Sequence, residues 1–148
     1  MRPCVPRSFE TYDLTQVNRT SRGGTRLQSQ PKKVLVVEND EVVLVLVSHI
    51  LTRHSYVVHG QRDLADIDGL LQQNDYAALL VDIKAPNGSE FIRKIEAHHP
   101  SLLPRLIIST GRLHDVNAIS ELPIHSVMKK PFELYELLDA VNEASGRA

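Results

Sequence analysis

From residue 32 onward, short apolar runs alternate with longer amphipathic segments, and this alternation constrains the fold more than any other feature of the chain. Runs that read as strands are VLVV (34–37), SYVVHG (55–60), AALLVD (77–82), PRLIIST (104–110) and IHSVMK (124–129). Between and after them, residues 62–75, 88–99, 114–121 and 133–145 read as helices, the third of these short. Segment 41–54 is ambiguous locally, because its valines favour strand. Its length and its apolar set at 43, 46, 47, 50 and 51 favour helix. Five βα units in strict alternation predict an α/β domain, a doubly wound five-stranded parallel sheet with helices on both faces. Right-handed crossovers leave few arrangements of such a sheet. Its ligand site is expected outside the carboxyl ends of the strands, where strand order reverses.

Composition narrows the class. The 148 residues suffice for one domain with a real core. Residues 1–31 lack any sustained apolar period and predict a disordered, flexible tail, with the domain at 32–148. Residues 1–30 carry five Arg against Glu10 and Asp13, a net +3, which leaves −4 on the rest of a chain whose total is −1. That balance predicts no nucleic-acid partner, and a solvated basic tail is the simplest reading of the excess. No apolar run reaches the roughly 18–20 residues of a membrane span. The single Cys4 excludes an internal disulfide, and a cytoplasmic location is expected.

The predicted strand ends carry the chemistry. Glu38, Asn39 and Asp40 follow the first strand, Asp82 ends the third, Ser109, Thr110 and Gly111 close the fourth, and Lys129, Lys130 and Pro131 follow the fifth. A lone acid at a strand end is ordinarily a surface group. Acids, a hydroxyl and an amine on four strand ends point instead to a hard cation held by oxygen, with a lysine as a point charge for phosphate. The seven His form no HExxH pair and no Cys/His set, so ordinary surface histidine is the expectation. Gly23–Gly24 lacks the strand-loop-helix context of a phosphate loop, and Ser109 lacks a nucleophile elbow.

With VVEND after the first strand, LLVDIKAP around Asp82, IISTG around Thr110, and KKPF around Lys130, the chain from about 32 to 146 resembles the receiver domain of two-component response regulators, the stand-alone chemotaxis-regulator type among them. The resemblance implies that Asp82 accepts a phosphoryl group from a phosphohistidine on a histidine kinase or histidine phosphotransfer protein. It implies Mg²⁺ bound by Glu38, Asn39, Asp82 and the backbone carbonyl of Lys84. Thr110 and Lys130 would contact the phosphoryl oxygens, and the Lys130–Pro131 bond would be cis. The signal would pass by protein contact to an unknown downstream target, through the face of the fourth helical segment, fifth strand and last helix, with homodimerisation an open option. The protein would be no enzyme in the ordinary sense, only assisting its own phosphorylation and dephosphorylation.

Four departures qualify this. Asn39 replaces an acid, so Mg²⁺ should bind more weakly; Asp40 reads as a helix cap instead. The stretch PNG (86–88) is about two residues short by the family's pattern. Val127 stands where an aromatic residue is usual. Lys84 lies beside the acceptor, either solvated or tuning it. These departures keep open a second reading, a phosphorylation-independent interaction module. A phosphohydrolase with an Asp nucleophile fits poorly, because Lys84 stands where such enzymes need a second acid.

Overall fold

A computed structural model describes residues 30–85 and 88–147. The expected tail therefore lies almost wholly outside the described residues. Five strands, β1 (Lys33–Val37), β2 (Val57–Gln61), β3 (Tyr76–Asp82), β4 (Leu106–Thr110) and β5 (Ser126–Lys129), form one sheet in the order β2-β1-β3-β4-β5, and every pair is parallel. The chain steps from β1 outward to β2 and then returns across β1 to β3. Strand order thus reverses between β1 and β3.

Side-chain alternation assigns the two faces. Leu35 and Val37 of β1, Leu79 and Val81 of β3, and Leu106 and Ile108 of β4 face one way, against α2 (Ile67–Gln73) and α3 (Gly88–His98). Val34, Val36, Ala78, Leu80 and Ile107 face the other way, against α1 (Glu41–Arg53) and α4 (Leu134–Ala144). Cover on both faces explains why the central strands read as unbroken apolar runs instead of alternating ones.

Local signals set the helix ends. Asp40 Oδ1 accepts the backbone N–H groups of Val42 (2.9 Å) and Val43 (3.2 Å), the cap expected of it. At the other end of α1, Ser55 takes a left-handed φ of 68°. There the N–H groups of Ser55 and Tyr56 donate to the carbonyls of Thr52 and Leu51, a Schellman close built without the usual glycine. Glu136 accepts the N–H of Glu133 at 2.7 Å and starts α4. Gly88 opens α3 because a Cβ there would sit 2.5 Å from the carbonyl oxygen of Ile83. Residues 86 and 87 of the stretch expected to be short lie outside the described residues.

Four expectations need correction. Helix α2 occupies only Ile67–Gln73 of the predicted 62–75. Residues 114–121 do not form an α-helix: Leu113–Ile119 is a 3₁₀ segment, buried through Val116 and Ile119 alone. Three-residue spacing with no further apolar turn suits a 3₁₀ winding. The face expected to signal therefore keeps β5 and α4 but has a 3₁₀ segment in place of its other helix. Finally, α1 buries Leu44, Val47 and Leu51, whereas Leu46 is 56% exposed. A second 3₁₀ stretch, Pro100–Arg105, leads into β4 where strand was expected from 104. Among the described residues no helix is long and apolar enough to cross a membrane.

Candidate functional site

The site forms where strand order reverses. The Glu38 N–H donates to the carbonyl of Gln61 (2.9 Å), which fixes the turn after β1 against the end of β2. The Glu38 side chain then points into the rim and is almost fully buried. Its Oε1 accepts the Asp40 N–H at 3.1 Å. Asp82, the last residue of β3, is buried as well, and its Oδ1 accepts the Lys84 N–H at 3.0 Å. Lys130 reaches in from beyond β5. Its Nζ donates to Glu38 Oε2 at 2.6 Å and to Asp82 Oδ2 at 3.3 Å. The Lys130 N–H also donates to the Thr110 carbonyl (2.7 Å), so the end of β4 anchors the lysine backbone. The Lys130–Pro131 peptide is cis.

Two buried carboxylates thus share one ammonium. With both oxygens on one nitrogen, they lie within about 6 Å of each other, where their repulsion is about 3 kcal/mol at an effective dielectric constant of 20. Burial and pairing act on these groups in opposite directions. For Glu38, burial outweighs the Lys130 hydrogen bond, and the nearby Asp82 charge adds to it, so its carboxyl is held above the usual carboxylate range. For Lys130, burial pulls downward, but the hydrogen bond to Glu38 and the two carboxylate charges more than offset it, and its ammonium is held more firmly than usual. By geometry, two carboxylates stand against the one ammonium that pairs with them.

The other expected residues fall around this core. Asn39 is exposed at the rim, and its carbonyl accepts an Arg62 guanidinium N–H at 3.4 Å. Thr110 is fully buried, but its hydroxyl is turned to its own chain: it donates to the Arg112 carbonyl (2.7 Å) and accepts the Arg112 N–H (3.1 Å). Ser109 offers its carbonyl to the Ile83 N–H at 3.0 Å. Val127 is 37% exposed on β5. The Lys84 side chain, 58% exposed, lies 3.9 Å from Asp115 Oδ2. The sequence reading placed Asp115 on a short helix over 114–121 and gave it no role at the site. Its position five residues after Thr110 was the available signal.

The oxygen donors fit a hard cation. Among the described residues no three His, Cys, Asp or Glu side chains cluster as a metal site. Two carboxylates, carbonyl oxygens and solvent match the one or two carboxylates by which Mg²⁺ is commonly held. The surplus negative charge points the same way.

A family model described as the response regulator receiver domain matches residues 34–142. Among curated proteins, the chain is 29% identical over 124 residues to the regulatory protein VirG of Agrobacterium tumefaciens (strain 15955), covering 80% of this chain and 46% of that protein. It is 31% identical over 118 residues to the uncharacterized transcriptional regulatory protein YcbL of Bacillus subtilis (strain 168), covering 77% and 51%. The chain spans about half the length of these relatives. Among solved structures, the signal receiver domain of an HD domain-containing protein from Pseudomonas fluorescens Pf-5 superposes with a TM-score of 0.71 at 25% identity, over 84% of this chain and 93% of that one. The beryllofluoride-activated NtrC4 receiver domain dimer gives 0.69 at 21%, over 77% and 96%, a likeness of fold alone.

Proposed function

The chain belongs to the family of response regulator receiver domains, and from that membership we propose that residues 32–148 form a phosphoacceptor domain whose nucleophile is Asp82. The donor is a phosphohistidine on a histidine kinase or histidine phosphotransfer protein in the cytoplasm. An Asp82 oxygen bonds to phosphorus as the P–N bond breaks. The electron pair stays with the donor's imidazole nitrogen, which takes up a proton. Signal then passes by contact to a downstream protein.

The observation that carries this reading is the convergence of Glu38 and Asp82 on Lys130 at the strand-order reversal. A carboxylate can approach a charged phosphoryl group only where their repulsion is offset. Glu38, Asn39, Asp82 and the Lys84 carbonyl would hold Mg²⁺, which supplies that offset as positive charge. Lys130 is already in place to pair with phosphoryl oxygens from the other side. The Thr110 hydroxyl, released from the Arg112 carbonyl, is the group to take another oxygen. These new charge-assisted bonds would shift the population toward a signalling conformation.

Incubation with acetyl phosphate and Mg²⁺ tests the proposal. Intact mass spectrometry should show the gain of one phosphoryl group, mapped to Asp82 and lost in Asp82→Asn. A second reading, an interaction module independent of phosphorylation, is favoured by the neutral, exposed Asn39 and the absence of an aromatic side chain at Val127. No mass gain under saturating donor would establish it in place of the first.

A further inference from the structure

Besides Lys130, two groups on segments that adjoin Asp82 are suited to pair with a phosphoryl group, the Thr110 hydroxyl and the Lys84 ammonium, and both face one short turn. The Arg112 carbonyl accepts the Thr110 hydroxyl at 2.7 Å and the Asp115 N–H at 3.1 Å. The Asp115 carboxylate in turn faces the Lys84 ammonium, 3.9 Å from Oδ2, while Oδ1 lies 3.3 Å from His114 Nε2. The root of Lys84 is fixed at the acceptor, because its N–H donates to Asp82 Oδ1. Only the flexible four-carbon stem decides where its charge goes. At 3.9 Å that charge is attracted to Asp115 without a hydrogen bond. Among the described residues Asp115 Oδ2 is buried with no hydrogen-bond partner, so it keeps an unmet demand that the Lys84 charge answers.

We propose that Asp115 is a positioning residue that draws Lys84 away from Asp82 and thereby shortens the life of the aspartyl phosphate. This rests on the phosphoacceptor role proposed above. Phosphorylation sets the new phosphoryl oxygens against Asp115 in competition for one ammonium. Withdrawal of the Thr110 hydroxyl from the Arg112 carbonyl loosens the turn that carries Asp115. When Lys84 swings to the phosphoryl group, it neutralises charge and occupies space through which a hydrolytic water must approach. A carboxylate that holds it back leaves that approach open.

The test is the half-life of the phosphorylated full chain after removal of acetyl phosphate, in the presence of Mg²⁺, read by intact mass. Asp115→Asn should lengthen it about two- to five-fold, the size an ion pair with an exposed lysine supports. Asp115→Ser should do the same, and provides a second variant should the amide fold poorly. Asp115→Glu should restore the wild-type value. In a Lys84→Met background, Asp115→Asn should have no effect, an outcome that separates positioning of Lys84 from a direct field of Asp115 on the phosphoryl group. An undiminished effect without Lys84, or half-lives of Asp115→Asn and Asp115→Ser equal to wild type, overturns the proposal while the phosphoacceptor reading stands. A wild-type protein that takes up no phosphoryl group overturns both.

Discussion

The two ends of the sheet solve the same packing problem with opposite chemistry. At the amino end, the buried Tyr56 hydroxyl donates to Asn142 Oδ1 (2.5 Å) and meets Ser145 Oγ (3.1 Å). Lys32 Nζ donates to the Ser145 carbonyl, and Arg147 donates to the His54 carbonyl (2.6 Å) while its guanidinium lies 4.3 Å from the centre of the Tyr56 ring. Each of these polar groups meets a neutral partner, and the Asp75 carboxylate at this end, 3.2 Å from Arg105, stays exposed instead of entering the network. At the carboxyl end, Glu38 and Asp82 are buried around one ammonium, with charge left over. A network satisfied by neutral acceptors only ties α4 to the chain leading into β1 and β2. A buried, unbalanced one costs stability and keeps an appetite for a cation, which is why function is placed at that end.

The largest expected break in this contrast is Lys130→Met. With both carboxylates buried and unpaired, stability at pH 7 should fall by about 2–4 kcal/mol, moderated because 26% of the lysine side chain is exposed. The loss should shrink as pH falls. Glu38 is already above its ordinary 4.5, so its contribution is full below that value and declines as pH rises through the folded value. Removal of the ammonium moves that window higher. The Lys130 contribution runs over another range: raised above 10.5, it persists through neutrality and is lost only as pH rises past its folded value. Urea unfolding of both proteins at pH 5 and pH 7 measures the difference, and an equal loss at the two values would contradict the unbalanced-charge account.

Tyr56→Phe should cost about 1–2 kcal/mol through the neutral network, with phosphoryl uptake unchanged. A coupled loss of uptake would show that the two ends are not separate. Asn39→Asp sharpens the contrast by adding charge where there is already a surplus. It should tighten Mg²⁺ binding roughly five-fold, about 1 kcal/mol, as read by calorimetry. The smallest effect is expected at Ser55→Gly: relief of the left-handed backbone should add up to about 1 kcal/mol, seen as a higher Tm.

Much of the site was legible because a parallel sheet converts strand ends into neighbours. Asp82, Glu38 and Lys130 lie up to 92 residues apart in sequence, yet their apolar strands alone predicted one rim. Thr110 was placed correctly at the end of β4, but its engagement with Arg112 could not be foreseen, since a hydroxyl bonded two residues along leaves no trace in composition. Asn39 was expected to face a metal. The structure exposes it and adds the Arg62 contact, which joins two loops remote in sequence.

The alternation of apolar runs with amphipathic segments determined the sheet, its parallel sense and the edge that bears the acids, because burial on both faces leaves no other pattern free. Tertiary structure alone decided which side of α1 is core, since valine and leucine nearly encircle that helix and periodicity cannot choose among them. It also decided that residues 113–119 wind as 3₁₀ and carry Asp115 to Lys84. Such choices depend on which surfaces meet in space, and a short segment with two buried side chains contains too little apolar area to dictate its own winding.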